Sequence, residues 1–350
     1  MIESILKQAV GENVSDVIAA PGFPLAYKMA GELRPVGERA LTPDDTQMLV
    51  NEIYACARGR EMEKLLRTGD DDFSFSMPGS GRFRAAVFRQ RGSFSAVLRI
   101  VRFELPDPAL LGIPQNVIDL YAIKKGLVLV TGSAGSGKST TLSCIVNRMN
   151  QTLPYHIITI EDPIEFLYRN NKSIVSQREV NQDTEDFKSA LRYALRQAPN
   201  VILVGEMRDY ETISIAMTAA ETGQYVLSTL HTVGAAKTVD RIIDVFPPAQ
   251  QQQVRVQLSM VLQAVVSQQL IPTVDGGAVP AFEVMLVNPA IRNLIREGKA
   301  HQMDNVIFSN PETMTHMDAS ILALFRAGRI SAENAVAYSA DPEAMRKKLG

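Results

Sequence analysis

The chain has 350 residues, 46% of them hydrophobic, with 36 Lys and Arg against 38 Asp and Glu for a net charge of −2. That supplies apolar material for two buried cores, and it lacks the basic excess of a dedicated nucleic-acid surface. The cysteines, Cys56 and Cys144, form no CxxC pair, which argues against a zinc ribbon and excludes a disulfide framework; both read as buried thiols of a reducing compartment.

Met1 to Lys7 places charges where a signal peptide has its apolar stretch, and no apolar run approaches the ~20 residues that span a bilayer. The expectation is a cytosolic protein that meets a membrane only through a partner. Ile2, Ile5, Leu6 and Ala9 recur at helical spacing, and residues 15–20 read as a short strand ended by Pro21-Gly22. Thr42-Pro43-Asp44-Asp45 is a helix start, with Thr42 as cap, Pro43 in the first position and Asp45 completing a capping box. Met48, Leu49, Ile53 and Tyr54 form that helix's apolar face. From Asp72 the pattern turns to strands: one around Phe73 and Phe75, a second over 82–89 and a third over 94–101. Arg82, Arg84, Arg89, Arg91, Arg99 and Arg102 cluster there, most of them as a solvated face, with one or two able to reach a phosphate. Residues 102–112, with Pro106 and Pro108 and no period, read as a linker.

A second domain starts near Ile113. Residues 114–124 read as a helix that leads into a buried strand, 126–131. The next stretch, Gly132-Ser133-Ala134-Gly135-Ser136-Gly137-Lys138-Ser139-Thr140, satisfies the phosphate-loop pattern G-x-x-x-x-G-K-[ST]. Small residues let backbone wrap an anion, and the amides at the start of the following helix point at it with a favourable dipole. Lys138 suits the β/γ-phosphates of a nucleoside triphosphate, and Ser139 suits Mg2+. Buried strands follow at 156–160, 201–204 and 225–230, separated by helices at 183–197 and 213–222, which is the alternation of a doubly wound parallel sheet. Ligands in such sheets bind at the carboxyl ends of the strands, and Glu161, Asp162, Glu165, Glu206 and His231 all fall at those ends. Glu206 is the candidate metal-holding carboxylate, although Gly205 stands where many phosphate-loop enzymes have an aspartate. One of the three acids Glu161, Asp162 and Glu165 is the candidate for activating water. His231 is a candidate γ-phosphate sensor. After Pro247-Pro248 the pattern reads as mostly helical: Leu258, Val261, Leu262, Val265 and Val266 hold helical spacing, residues 280–287 give one short strand, and helices fill the rest.

The phosphate loop, the acidic segment 160–165, the strand 201–209 and the box Thr229-Leu230-His231-Thr232 with 235–244 together resemble the type II/type IV secretion ATPases. Within these, the chain is most similar to the type IV pilus retraction ATPases, the PilT family, whose C-terminal signature matches residues 290–299. The resemblance implies an α/β chain with a PAS-like N-terminal α+β domain (1–101), a linker (102–112), a RecA-like P-loop ATPase core (113–271) and a mainly helical C-terminal region (272–350). It implies Glu165 as catalytic glutamate, Glu206 as an atypical Walker B glutamate, His231 as the histidine-box residue, and Arg82 and Arg84 as phosphate ligands. ATP and Mg2+ are the implied cofactors. The implied partners are further copies of the chain in a hexameric ring and an inner-membrane pilus platform protein, with no nucleic acid and no membrane insertion. The chain departs from the family at Gln224, where a second histidine is usual, at Val17-Ile18, and at Gln197-Ala198-Pro199-Asn200, which lacks acidic residues. The readings to be separated are a retraction motor, an assembly or secretion motor, a non-hydrolysing regulatory subunit, and a nucleic-acid translocase, against which the near-neutral charge speaks.

Overall fold

Apolar alternation in the first hundred residues builds a six-stranded antiparallel sheet. Its strands are β1 (Asp16–Ala19), β2 (Ala26–Met29), β3 (Glu32–Pro35), β4 (Asp70–Met77), β5 (Gly81–Gln90) and β6 (Ser93–Val101), in the order β3-β2-β1-β6-β5-β4. A computed structural model describes residues 1–12, 14–29, 32–101 and 105–349. It divides the chain into two compact units, Met1–Glu104 with Glu165–Leu167, and Leu105–Ile164 with Tyr168–Gly350. Arg102 and the first residues of the expected linker lie outside the described residues.

In the first unit the helix Pro43–Cys56 begins as its sequence dictates. Thr42 accepts the Asp45 amide, and Asp45 returns the bond to the Thr42 amide at 2.8 Å, closing a capping box. The apolar faces of this helix and of Ile2–Gly11 pack with Phe73, Phe75, Phe83 and Leu98 of the sheet. One carboxylate, Asp71, lies inside that core. It accepts from Tyr54 Oη and Arg60 Nε, both at 2.8 Å, with Lys64 at 3.2 Å. Burial alone would raise its pKa, but hydrogen bonds from Arg60 and Tyr54 hold the carboxyl below its ordinary range. The helix Glu63–Thr68 and strands β2 and β3 were not legible in the pattern of the sequence.

The second unit is a seven-stranded sheet of β7 (Gly126–Thr131), β8 (His156–Glu161), β9 (Ile174–Glu179), β10 (Val201–Val204), β11 (Tyr225–Leu230), β12 (Leu262–Pro272) and β13 (Ala278–Leu286), ordered β13-β12-β7-β11-β10-β8-β9. Every neighbouring pair is parallel except β12 with β13. In β7, Leu127 and Leu129 enter the core on one face, and Val128 and Val130 enter the core on the other. A run buried on both faces has no reason to alternate, which is why it reads as continuous apolar sequence.

The structure corrects the expected helix through Val266. The helix ends at Val261, and Leu262, Val265 and Val266 belong to β12, which pairs with the loop-bearing strand. Their spacing suits a helix, but Ala264 between them is buried as well, so the segment is a strand apolar on both faces. The expected helix over 114–124 is shorter, an α-turn Gln115–Ile118 running into a 3-10 turn Asp119–Ala122. The expected helix over 183–197 narrows to Phe187–Ala194, capped by Asp186. Strand β9 went unrecognised because it is short and only half-buried. The remaining helices, Pro289–Glu297, Met303–Phe308, Met317–Arg326, Ala332–Tyr338 and Pro342–Leu349, fall close to expectation, with the last one added. Cys144 is buried, and burial pushes its thiol up to about 11; Cys56 is only half-buried. No helix among the described residues is long and apolar enough to cross a membrane.

Candidate nucleotide site

The phosphate loop leaves β7 and closes on the helix Lys138–Thr152, with Gly137 as its N-cap at φ +86°. No side chain caps this helix, so its first amides are left for an external acceptor. Gly132, at φ +147°, lies so close to β12 that an added Cβ would sit 2.2 Å from the Gln268 carbonyl oxygen and 2.6 Å from Ser136 Oγ. The loop is thus folded as a cradle that only glycine permits there. Lys138 is 8% exposed, and its Nζ donates to the Gly132 carbonyl at 3.0 Å and the Ser133 carbonyl at 2.9 Å. The ammonium is therefore already bent over the loop's mouth. Ser136 is buried, and its Oγ finds no partner among the described residues. An uncapped helix start, a bent lysine and an orphaned hydroxyl around one concavity fit a phosphate group.

Glu206 follows β10 and His231 follows β11, adjacent parallel strands in register. The two strand ends are stapled by side chains: Ser228 Oγ donates to the Val204 carbonyl and Thr229 Oγ1 to the Gly205 carbonyl, each at 2.7 Å, while the Met207 amide donates to the Thr229 carbonyl at 3.2 Å. That brings the two predicted residues together, with His231 Nε2 3.1 Å from Glu206 Oε1. The other carboxylate oxygen accepts from Arg208 at 2.7 Å. The Arg208 hydrogen bond, followed by the nearby charges of Arg208, His231 and Lys138, holds the Glu206 carboxyl below its ordinary range, against some desolvation. Glu206 is thus an ionised acceptor beside the lysine, of the kind that holds a hard cation directly or through water. Arg208 was not singled out from the sequence. Its position two residues after Glu206, near enough for the two side chains to pair, could have marked it.

The absent aspartate before Glu206 has a steric reason. A Cβ at Gly205 would sit 3.2 Å from the Ile160 carbonyl and 3.4 Å from the Glu161 Cα, where the Gly205 amide donates to that same carbonyl at 2.8 Å. On β8, Glu161 accepts from Thr159 Oγ1 at 2.6 Å and Gln177 Nε2 at 3.3 Å. The turn beyond it is fixed by a residue the sequence did not reveal: buried Glu179 accepts the Ile164 amide at 3.0 Å. The loop after His231 is anchored likewise. The Gly234 amide donates to Ser267 Oγ at 2.9 Å, and the Ala235 amide donates to buried Glu283 at 2.7 Å.

Three predicted residues belong to the first unit. Arg82 and Arg84 alternate on β5, opposite Ser76 and Ser74 of β4. Arg84 and Arg99 line a cavity of about 220 Å3 with Asp16 and Asp72, where Arg99 Nε donates to Asp16 at 2.9 Å. Glu165 falls in the segment Glu165–Leu167 grouped with that unit. The second unit by itself gathers Lys138, Ser139, Glu206 and His231.

A twisted sheet with a glycine-built phosphate cradle between β7 and its helix, and acidic and imidazole groups at the neighbouring strand ends, defines a RecA-like phosphate-loop protein. The family model described as type II/IV secretion system protein matches residues 1–278. The chain is 43% identical to the type IV pilus retractation ATPase PilT of Pseudomonas aeruginosa over 343 residues, 98% of this chain and 99% of that one. It superposes on the crystal structure of a pilus retraction motor PilT with bound ADP at a TM-score of 0.90, with 46% identity and 99% of each chain covered. On the Legionella pneumophila ATPase DotB the TM-score is 0.82, with 29% identity over 95% of this chain and 93% of that one. The chain belongs to the type II/IV secretion system protein family and, within it, to the PilT-type pilus retraction ATPases.

Proposed function

We propose that this chain is a magnesium-dependent ATPase that works as a hexameric ring and powers retraction of a type IV pilus. The observation that carries the reading is the phosphate cradle of Gly132–Thr140 beside the Glu206–His231 pair, in a chain that matches a retraction motor along its whole length. Lys138 neutralises the β- and γ-phosphates, and the helix-start amides bind the remaining charge. Ser139 and Glu206 are the residues that would hold Mg2+, which would draw charge off the phosphates. His231, hydrogen-bonded to Glu206, is the group placed to feel the γ-phosphate, because its partner carboxylate fixes the ring. Glu165 orients and deprotonates the attacking water, and Arg82 and Arg84 are phosphate ligands; the family resemblance supports these roles. Cycles of binding and release that favour different arrangements of the units convert hydrolysis into motion. The force is delivered to a platform protein at the inner face of the cytoplasmic membrane.

Purified protein tests the chemistry. The unmodified chain hydrolyses ATP in magnesium and loses that activity with EDTA, and Lys138→Ala and Glu165→Gln each remove it. A protein that binds ATP yet hydrolyses none above these variants is a regulatory subunit instead. A deletion strain tests direction: excess pili without twitching supports retraction, and absence of pili would point to an assembly motor.

A further inference from the structure

Gln268 is a buried polar residue of β12 that the mechanism above leaves unused. It follows Ser267, the last residue of β12 to pair with β7, opposite Thr131, and so lies directly beside the phosphate loop. Its main-chain oxygen is the atom that forbids a side chain at Gly132. Its side chain is 3% exposed, and one end of the amide is fixed: Oε1 accepts from Thr141 Oγ1, in the first turn of the loop helix, at 2.7 Å. That bond turns Nε2 the other way, toward Gly137, where an added Cβ would lie 2.9 Å from it. Among the described residues no acceptor takes a hydrogen from Nε2. The amide also lines a cavity of about 280 Å3, together with Gly137, Thr140, Thr141 and, farther from the loop, Leu270 and Pro280.

Nε2 is not sealed in the core: it opens onto this cavity, where water or a ligand oxygen can accept from it. Here the unpaired donors face the loop residue that precedes the lysine, where a nucleotide's phosphate oxygens are held. We propose that Gln268 is a nucleotide-binding residue, anchored through its oxygen by Thr141 and donating from Nε2 to a phosphate oxygen of the bound nucleoside phosphate. The inference rests on the nucleotide reading of the loop. It gives β12, a strand remote from the motifs in sequence, a direct hand in holding the ligand, and it makes the Thr141 hydroxyl a positioning group that acts through Gln268.

Equilibrium binding of magnesium-ADP to the full-length protein tests this, because a ligand-contacting amide loses affinity on these substitutions where a purely structural one keeps it. Gln268→Glu keeps the acceptor for Thr141, removes the donor and sets a negative charge beside the phosphates. It is expected to weaken ADP binding by well over about tenfold, the scale of a charge-assisted hydrogen bond lost. Thr141→Val removes only the anchor and is expected to weaken binding by less than Gln268→Glu does. Gln268→Met, close in volume and without a charge to bury, is the second probe, expected to weaken binding about tenfold while leaving the ligand-free unfolding midpoint near that of Thr141→Val. If Gln268→Glu binds ADP within about twofold of the unmodified protein, or Gln268→Met binds no worse than Thr141→Val, Gln268 is a structural strut and the proposal is overturned. The unmodified protein and Lys138→Ala separate the two levels. ADP binding lost in Lys138→Ala but kept in the Gln268 variants removes this proposal alone, whereas an unmodified protein that binds no ADP removes the nucleotide reading on which it rests.

Discussion

Two glycines of the phosphate loop make opposite demands on a substituent, and Gly132→Ala against Gly135→Ala measures the difference. Both have positive φ, +147° at Gly132 and +76° at Gly135, so alanine strains either backbone by ~1–2 kcal/mol. At Gly135 nothing lies within 4 Å of the added carbon, and strain is the whole cost. At Gly132 the methyl would land 2.2 Å from the Gln268 carbonyl oxygen, roughly 1 Å inside ordinary van der Waals contact. The obstacle is main chain, paired with β13 at Gln268 and with β7 up to the preceding residue, so it cannot swing aside as a side chain can. Overpacking of this kind costs a further ~1–3 kcal/mol. At about 2–4 °C per kcal/mol for a unit of this size, Gly135→Ala should lower the unfolding midpoint of the ligand-free protein by several degrees and Gly132→Ala by about twice as much. ADP affinity should follow the same order, because a loop displaced by even half an ångström loses its amide geometry. Calorimetric unfolding and ADP titration on the two variants decide it. Equal midpoints would refute the argument that β12 sets the loop's shape.

Thr42→Ala removes one half of an observed capping box and should cost ~1 kcal/mol in the first unit, read as a lower urea midpoint with unchanged ADP binding. Glu283 is held in the core by two helix-start amides, and its carboxyl is pushed up, by burial first and then by Asp304, against the bonds from Ala235 and Met317 and the charge of His316. A carboxyl raised in the folded state binds more protons there than when unfolded, so its contribution weakens as pH rises through and above the ordinary carboxylate range. Unfolding of Glu283→Gln followed from pH 4 to 8 should therefore show the variant gaining on the unmodified protein as pH rises; the reverse trend would contradict the burial argument. Arg208→Ala removes the leading cause that keeps the Glu206 carboxyl low, so the acidic limb of the ATPase pH profile should move upward. The shift should be modest because Arg208 is 73% exposed, and an unmoved limb would show that His231 and Lys138 hold the charge by themselves.

The phosphate loop was legible because its chemistry leaves no latitude: a strand, small residues and a lysine at fixed spacing have one physical use. Strands β7, β8, β10 and β11 were legible because burial on both faces demands unbroken apolar runs. The same rule concealed β12. Leu262, Val265 and Val266 carry both a helical period and a two-faced strand's composition, and only pairing with β7 decides between them. Glu206 and His231 could be placed at strand ends, but their 3.1 Å contact depends on the Ser228 and Thr229 staples, which are unremarkable residues in an apolar string. Glu179, Glu283 and Gln268 were invisible for a related reason. Each satisfies a backbone or side-chain partner distant in sequence, and such pairing leaves no local period.

Those staples also bear on how the site behaves as a machine part. Two hydroxyls reach from β11 to the last carbonyls of β10, and an amide returns the bond. The acidic tip and the imidazole tip are therefore welded into a single rigid fork, and neither tine can yield to a changing ligand without dragging the other. Glu206 and His231 substitutions should accordingly be non-additive, and loss of either tine should blunt the stroke about as much as loss of both.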